Sequence, residues 1–123
     1  MNTNALRLAA ALLPAFLAFA CGRTTQLAAW EHYDGCTMQV TSFSGMTNCG
    51  KVKLEDYCKT RKSEPACGAL GNAVTAYAES LTRLIEDNKL SEAEARRKWA
   101  QFELLSPAEQ IQTSQAAVAQ AAR

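Results

Sequence analysis

SEPACGALGNAVTAYAESLTRL, residues 63–84, is the stretch whose reading decides the fold. Within it Cys67, Leu70, Val74, Tyr77, Leu81 and Leu84 recur at alternating spacings of three and four. That period draws a single apolar stripe down about five turns of an α-helix. Ser63-Glu64-Pro65 opens the helix, since proline is tolerated in a first turn where its missing N–H costs least. Asp87-Asn88-Lys89 closes it. Gly68 and Gly71 lie beside the stripe, each costing about 1 kcal/mol of helix propensity against alanine, and they suit a close approach of another backbone.

Downstream the punctuation repeats. Ser91-Glu92-Ala93-Glu94 has the form of a capping box, with the serine accepting from the third amide and Glu94 reaching back. Ala95, Trp99, Phe102 and Leu105 then form the inner face of a second helix. Two amphipathic helices joined by so short a link fold back as an antiparallel αα-hairpin. Its expected core is Trp99 and Phe102 against Tyr77 and Leu81. Ser106-Pro107-Ala108-Glu109 repeats the box and opens a third, weakly amphipathic helix, with Ile111 and Val118 its only large apolar residues. Two outcomes stand level for that segment, a docked helix and a frayed end; ordering on a partner ranks behind them.

Upstream, residues 30–62 have little regular hydrophobic pattern but hold three of the four cysteines Cys36, Cys49, Cys58 and Cys67. No C-x-x-C occurs, so neither a zinc knuckle nor a thioredoxin-type redox pair is indicated. The expectation is two structural disulfides. Of the three connectivities, short sequential loops favour Cys36–Cys49 with Cys58–Cys67, and Cys36–Cys58 with Cys49–Cys67 is the competitor. Thr37 to Phe43, followed by Ser44-Gly45, reads as the first arm of a short β-hairpin returning through Met46 to Cys49. The fold class expected is therefore mainly α. A disulfide-stapled irregular amino-terminal lobe with a possible short β-hairpin precedes the αα-hairpin and the third helix.

Ahead of the lobe, Arg7 precedes an uninterrupted apolar run from Leu8 to Ala20, 13 residues long. A spanning helix needs about 20, so residues 1–20 read as an export signal rather than an anchor. Ala18-Phe19-Ala20 fits the small-x-small site of an ordinary signal peptidase. Leu17-Ala18-Phe19-Ala20-Cys21 also resembles a bacterial lipobox, although Phe19 is bulky and Leu17 stands one place early for that pattern. Cysteine parity separates the two. Five cysteines leave one unpaired in an exported chain, and lipid attachment at Cys21 would account for it. If the resemblance holds, Gly22 implies the outer membrane. The organisation expected is a signal over 1–20, a tether over 21–29 and one small helical domain over 30–123.

After residue 20 the chain carries twelve basic and twelve acidic residues. Neutrality counts against a nucleic-acid partner. Lys51, Lys53, Lys59, Arg61 and Lys62 outnumber Glu55 and Asp56 locally. Such a segment could touch anionic headgroups, but so few charges read first as a solvated face. Trp30, His32 and Tyr33 set two aromatics beside the only histidine. They suit either a partner-binding surface or, ranked higher, a cover over the disulfide core. One histidine gives a single candidate base, oxidised cysteines are not nucleophiles, and the pairs Glu55-Asp56 and Glu86-Asp87 suit solvated surface. Neither catalytic residues, a metal site nor a cofactor is expected.

The signal, the lipid-type cysteine, the further cysteines and the Ser-Glu-Ala-Glu-Ala-Arg hairpin together resemble small bacterial envelope lipoproteins. In layout alone the chain is similar to pilotins, helical lipoproteins that escort secretin subunits to the outer membrane. The resemblance implies a membrane attachment through lipid and a protein partner in the envelope. The alternative is a soluble periplasmic inhibitor or adaptor that uses the stapled lobe.

Overall fold

A computed structural model describes residues 27–37 and 40–123. Residues 1–20, read above as an export signal, Cys21 and most of the expected tether 21–29 lie outside the described residues. The described chain is helical: α1 (Ala29–Asp34), α2 (Phe43–Cys58), a 3-10 turn (Pro65–Cys67), α3 (Ala69–Glu86), α4 (Glu92–Glu103) and α5 (Pro107–Ala121). Two disulfides, Cys36–Cys49 and Cys58–Cys67, staple its amino-terminal part. These are the short sequential loops.

Among the described residues between Thr37 and Cys49 there is no strand of the expected hairpin, and residues 38 and 39 of its first arm lie outside them. From Phe43 the chain is instead the sixteen-residue helix α2, with Ser42 as N-cap accepting from the Gly45 amide at 3.0 Å. Its buried positions are Phe43, Met46, Thr47, Gly50 and Leu54. They are spaced for a helix, but Thr47 and Gly50 hold two of the five, so the apolar period is broken in the sequence. The lobe is accordingly built on α1 and α2, with turns and bends at 35–37, 40–42 and 59–64. Ala29, assigned to the tether, is fully buried in α1.

The decisive stripe forms as expected from Ala69 onwards, with Val74, Tyr77, Leu81 and Leu84 buried. Its start differs. Pro65–Cys67 make a separate 3-10 turn, and α3 begins after Gly68. Cys67 is thus a staple in front of the helix, fixing the turn to the end of α2. Asn88 ends α3 in the left-handed region (φ 58°), and the Lys89 amide reaches back to the Leu84 carbonyl at 2.8 Å. Asparagine is one of the residues that tolerates this backbone.

α4 folds back on α3 as the αα-hairpin, and the expected core is present. Tyr77 stacks on Phe102 at 4.1 Å and faces Trp99 at 6.2 Å between ring centroids. Both later caps bond the third amide as expected, Ser91 to Glu94 and Ser106 to Glu109. The glutamates answer by accepting from the serine hydroxyls rather than the backbone.

α5 is docked, and α3 packs more extensively on it than on α4. The face it buries is Gln110, Ser114, Ala117 and Ala121. Val118 is 46% exposed, so the large residues were the wrong guide. Small residues let two helices approach closely, and Gln110 Nε2 donates to the Phe102 carbonyl at 3.1 Å, satisfying a buried amide.

Two close approaches set the geometry of the lobe. A Cβ at Gly71 would overlap the Ala66 backbone carbonyl, and one at Gly50 would overlap the Tyr33 ring; at Gly68 it would meet nothing nearer than 3.8 Å. A polar latch joins the distant halves: Glu92 accepts from the Phe43 amide at 3.0 Å, and Arg96 donates to the Thr41 carbonyl at 2.8 Å. Gly71→Ala should therefore lose about 2 kcal/mol in denaturant melts, overlap outweighing the gain in propensity. Gly68→Ala should stay within about 0.5 kcal/mol of the parent. Removing the latch with Glu92→Ala should cost about 1 kcal/mol in the same melts.

Candidate functional site

Three features bring polar side chains together beside concave surface. The first is a groove of about 340 Å³ between α2 and α3, within the roughly 300–1,000 Å³ of small-ligand sites. Leu54 and Gly71 line it, Lys51 and Glu79 pair on it at 3.0 Å, and the Cys58–Cys67 disulfide closes one end. Thr75 contributes a hydroxyl, held by the buried Tyr33 hydroxyl at 2.8 Å. Both cysteines are oxidised, so the groove offers no thiolate. An apolar segment with a polar edge is what it suits chemically.

A wider and shallower hollow of about 570 Å³ lies along the second half of α2, lined by Leu27, His32, Lys53, Tyr57, Lys59 and Arg61 among others. His32 rests on the Tyr57 ring at 4.5 Å, and its buried Nε2 has no hydrogen-bond partner among the described residues. Burial pushes the imidazole below its ordinary value, Lys53 adds to this, and Glu31 and Glu64 oppose it. It is therefore neutral at pH 7. The Tyr57 hydroxyl donates to Glu64. Arg61 lies over the Tyr57 ring at 4.4 Å and pairs with Glu64 at 3.6 Å.

The third feature is a pair of carboxyl groups where α1 and α4 end. Trp99 Nε1 donates to Asp34 Oδ1 at 3.0 Å, and Glu103 bonds Asp34 from one turn further along α4. Partial burial, followed by the bond to Asp34 and its charge, pushes Glu103 up to about 8, with the Trp99 N–H opposing. Glu103 thus holds a proton at neutral pH and donates it to Asp34. Among the described residues no group of three or more His, Cys, Asp or Glu side chains could hold a metal ion.

Tyr33 is fully buried and His32 only 8% exposed, while Trp30 is half-buried. The trio singled out as a partner surface therefore does not form an exposed patch. Tyr33 covers the core, meeting Trp99 at 5.4 Å and Gly50. Cys36, Cys49, Cys58 and Cys67 pair as read, and Cys21 lies outside the described residues. The basic segment is largely solvated, with Lys51, Lys59 and Arg61 in exposed ion pairs. Sequence reasoning missed Asp34 and Glu103. A signal existed: Glu103 stands one turn beyond Trp99 on the inner edge of α4, in a last turn where the helix dipole disfavours negative charge.

No protein-family model, curated protein or solved structure matches the chain. No helix among the described residues is long and apolar enough to cross a membrane.

The carboxyl pair gives a pH dependence with a definite sign. Unfolded, Glu103 titrates near 4.5; folded, near 8. Between these values the folded chain holds a proton that the unfolded chain has released, so raising the pH favours unfolding. The contribution is complete below pH 4.5 and is lost as the pH rises through 8. Melts at pH 5.5 and 8.5 should show the parent losing stability at the higher pH. Glu103→Gln, whose amide donates without titrating, should at least halve that loss.

Proposed function

We propose that this chain is a non-catalytic envelope lipoprotein, anchored through Cys21 and acting as a binding or accessory module for a periplasmic or outer-membrane partner. The observation that carries the reading is the pairing of the cysteines. Cys36–Cys49 and Cys58–Cys67 are closed within the domain, and such pairs mark an oxidising, exported environment. Cys21 is the one cysteine left over, and it stands directly behind the apolar run Leu8–Ala20. Attaching lipid to it removes the free thiol and gives the run its purpose.

A binding role, rather than catalysis, fits the concave surfaces. The α2–α3 groove combines an apolar floor with an exposed ion pair, which suits capture of a partner segment. The only histidine is buried, neutral and packed against the Tyr57 ring, an arrangement that favours packing over proton transfer.

Metabolic labelling with a fatty-acid analogue in a Gram-negative host, followed by membrane fractionation, tests this. The parent should be labelled and sediment with the outer membrane. Cys21→Ser should lose the label. An unlabelled parent free in the periplasm would overturn the anchor and favour a soluble adaptor with a free thiol.

A further inference from the structure

We infer that the hollow along the second half of α2 is a headgroup-binding face, which takes the phosphate of an anionic phospholipid in the membrane that carries the anchor. The inference rests on the lipoprotein reading above, and it concerns a surface that the reading leaves unassigned.

Position argues for it first. Leu27 is the earliest described residue and lines the hollow. Tyr57 lines the same hollow and donates its hydroxyl to Glu64. Leu27, the described residue nearest to Cys21 in the sequence, thus sits on the rim of this hollow. Five residues separate Cys21 from Leu27, and the six steps between them span at most about 22 Å. A lipid on Cys21 would bring this face, rather than the α4 side of the domain, within reach of the bilayer.

Chemistry agrees with position. Lys53, Lys59 and Arg61 line the hollow against a single carboxylate, Asp56. Nearby, Glu64 is held by Tyr57 and Arg61, and Glu31 by the Ala28 amide. Lys53 makes none of the ion pairs found among the described residues. The Lys59–Asp56 pair is open to water, with side chains 73% and 78% exposed. Such pairs contribute little, so either lysine can turn to a phosphate at small cost. Basic side chains held at a membrane surface each add to affinity for anionic lipid. One further feature suits a lipid surface: Leu27 lines the hollow beside the charges and is 44% exposed.

The test is sedimentation of the full chain carrying Cys21→Ser with vesicles of phosphatidylcholine, alone or with phosphatidylglycerol. Two triple variants are compared with it: Lys53→Gln, Lys59→Gln, Arg61→Gln in the hollow, and Lys89→Gln, Arg97→Gln, Lys98→Gln outside it. All three chains carry the same apolar segment and no lipid, and the two variants lose the same charge. The increment in binding due to phosphatidylglycerol should fall about tenfold or more in the first variant and by less than twofold in the second, with unchanged melting temperatures. Equal losses in both would reduce the effect to net charge and overturn the proposal. So would an absent increment, or complete displacement by inorganic phosphate at constant ionic strength, which would identify a small-anion site. Because the readout needs no acyl chain, these failures are distinct from a failure of Cys21 to be labelled.

Discussion

Trp99 is the side chain around which the four helices α1 to α4 are arranged. Its ring meets Tyr33 from α1, Phe43 from α2, Tyr77 from α3 and Phe102 from its own helix, at centroid distances of 5.4–6.2 Å. Its indole N–H is bonded to Asp34, so the one polar atom of the ring is satisfied at the edge of the core. Aromatic contacts of this kind add about 0.5–1.5 kcal/mol each beyond area burial. In a domain of this size a handful of them is a large share of net stability. α5 lies outside the aromatic cluster and is held by a face of small residues and by Gln110 instead.

The disulfides act on a different problem. A domain near 100 residues buries a limited fraction of its surface, and the lobe made by α1, α2 and the 3-10 turn sets Ala29, Thr47, Gly50 and Ala66 among its buried positions beside Tyr33, Phe43 and Met46. Each bridge closes a short loop, with sequence separations of 13 and 9. Restricting the unfolded chain in this way contributes about 3 kcal/mol per bridge in the chain-entropy account. The second bridge also holds the 3-10 turn where its Ala66 carbonyl can touch Gly71, so the staple and the missing side chain are one arrangement. The α2–α3 groove ends at that bridge, which fixes its shape.

Polar groups divide into those that join the lobe to the helical hairpin and those that face outward. Glu92 and Arg96 of α4 hold the start of α2, and the Asp34–Glu103 pair joins the ends of α1 and α4. Neither group borders the groove or the basic hollow. The groove and the hollow are instead lined chiefly by α2 and the residues that follow it. Recognition on the membrane side of an anchored domain would leave the groove free for a protein.

The sequence by itself determined the helical character from residue 69 onward, because Val74, Tyr77, Leu81 and Leu84 report a period that tertiary context had no reason to override. It determined the caps at Ser91 and Ser106, which are local hydrogen bonds, and it favoured the disulfide pairing through loop length. Only the tertiary structure decided α2, since Thr47 and Gly50 sit on its buried face for reasons visible only beside Thr82 and Tyr33. It also decided which face of α5 docks: alanine and serine are chosen there by how near α3 comes, not by hydrophobicity. The carboxyl pair and the basic hollow belong to the same class. Asp34 and Glu103, or Leu27 and Tyr57, are far apart along the chain, and their chemistry exists only once packing has brought them together.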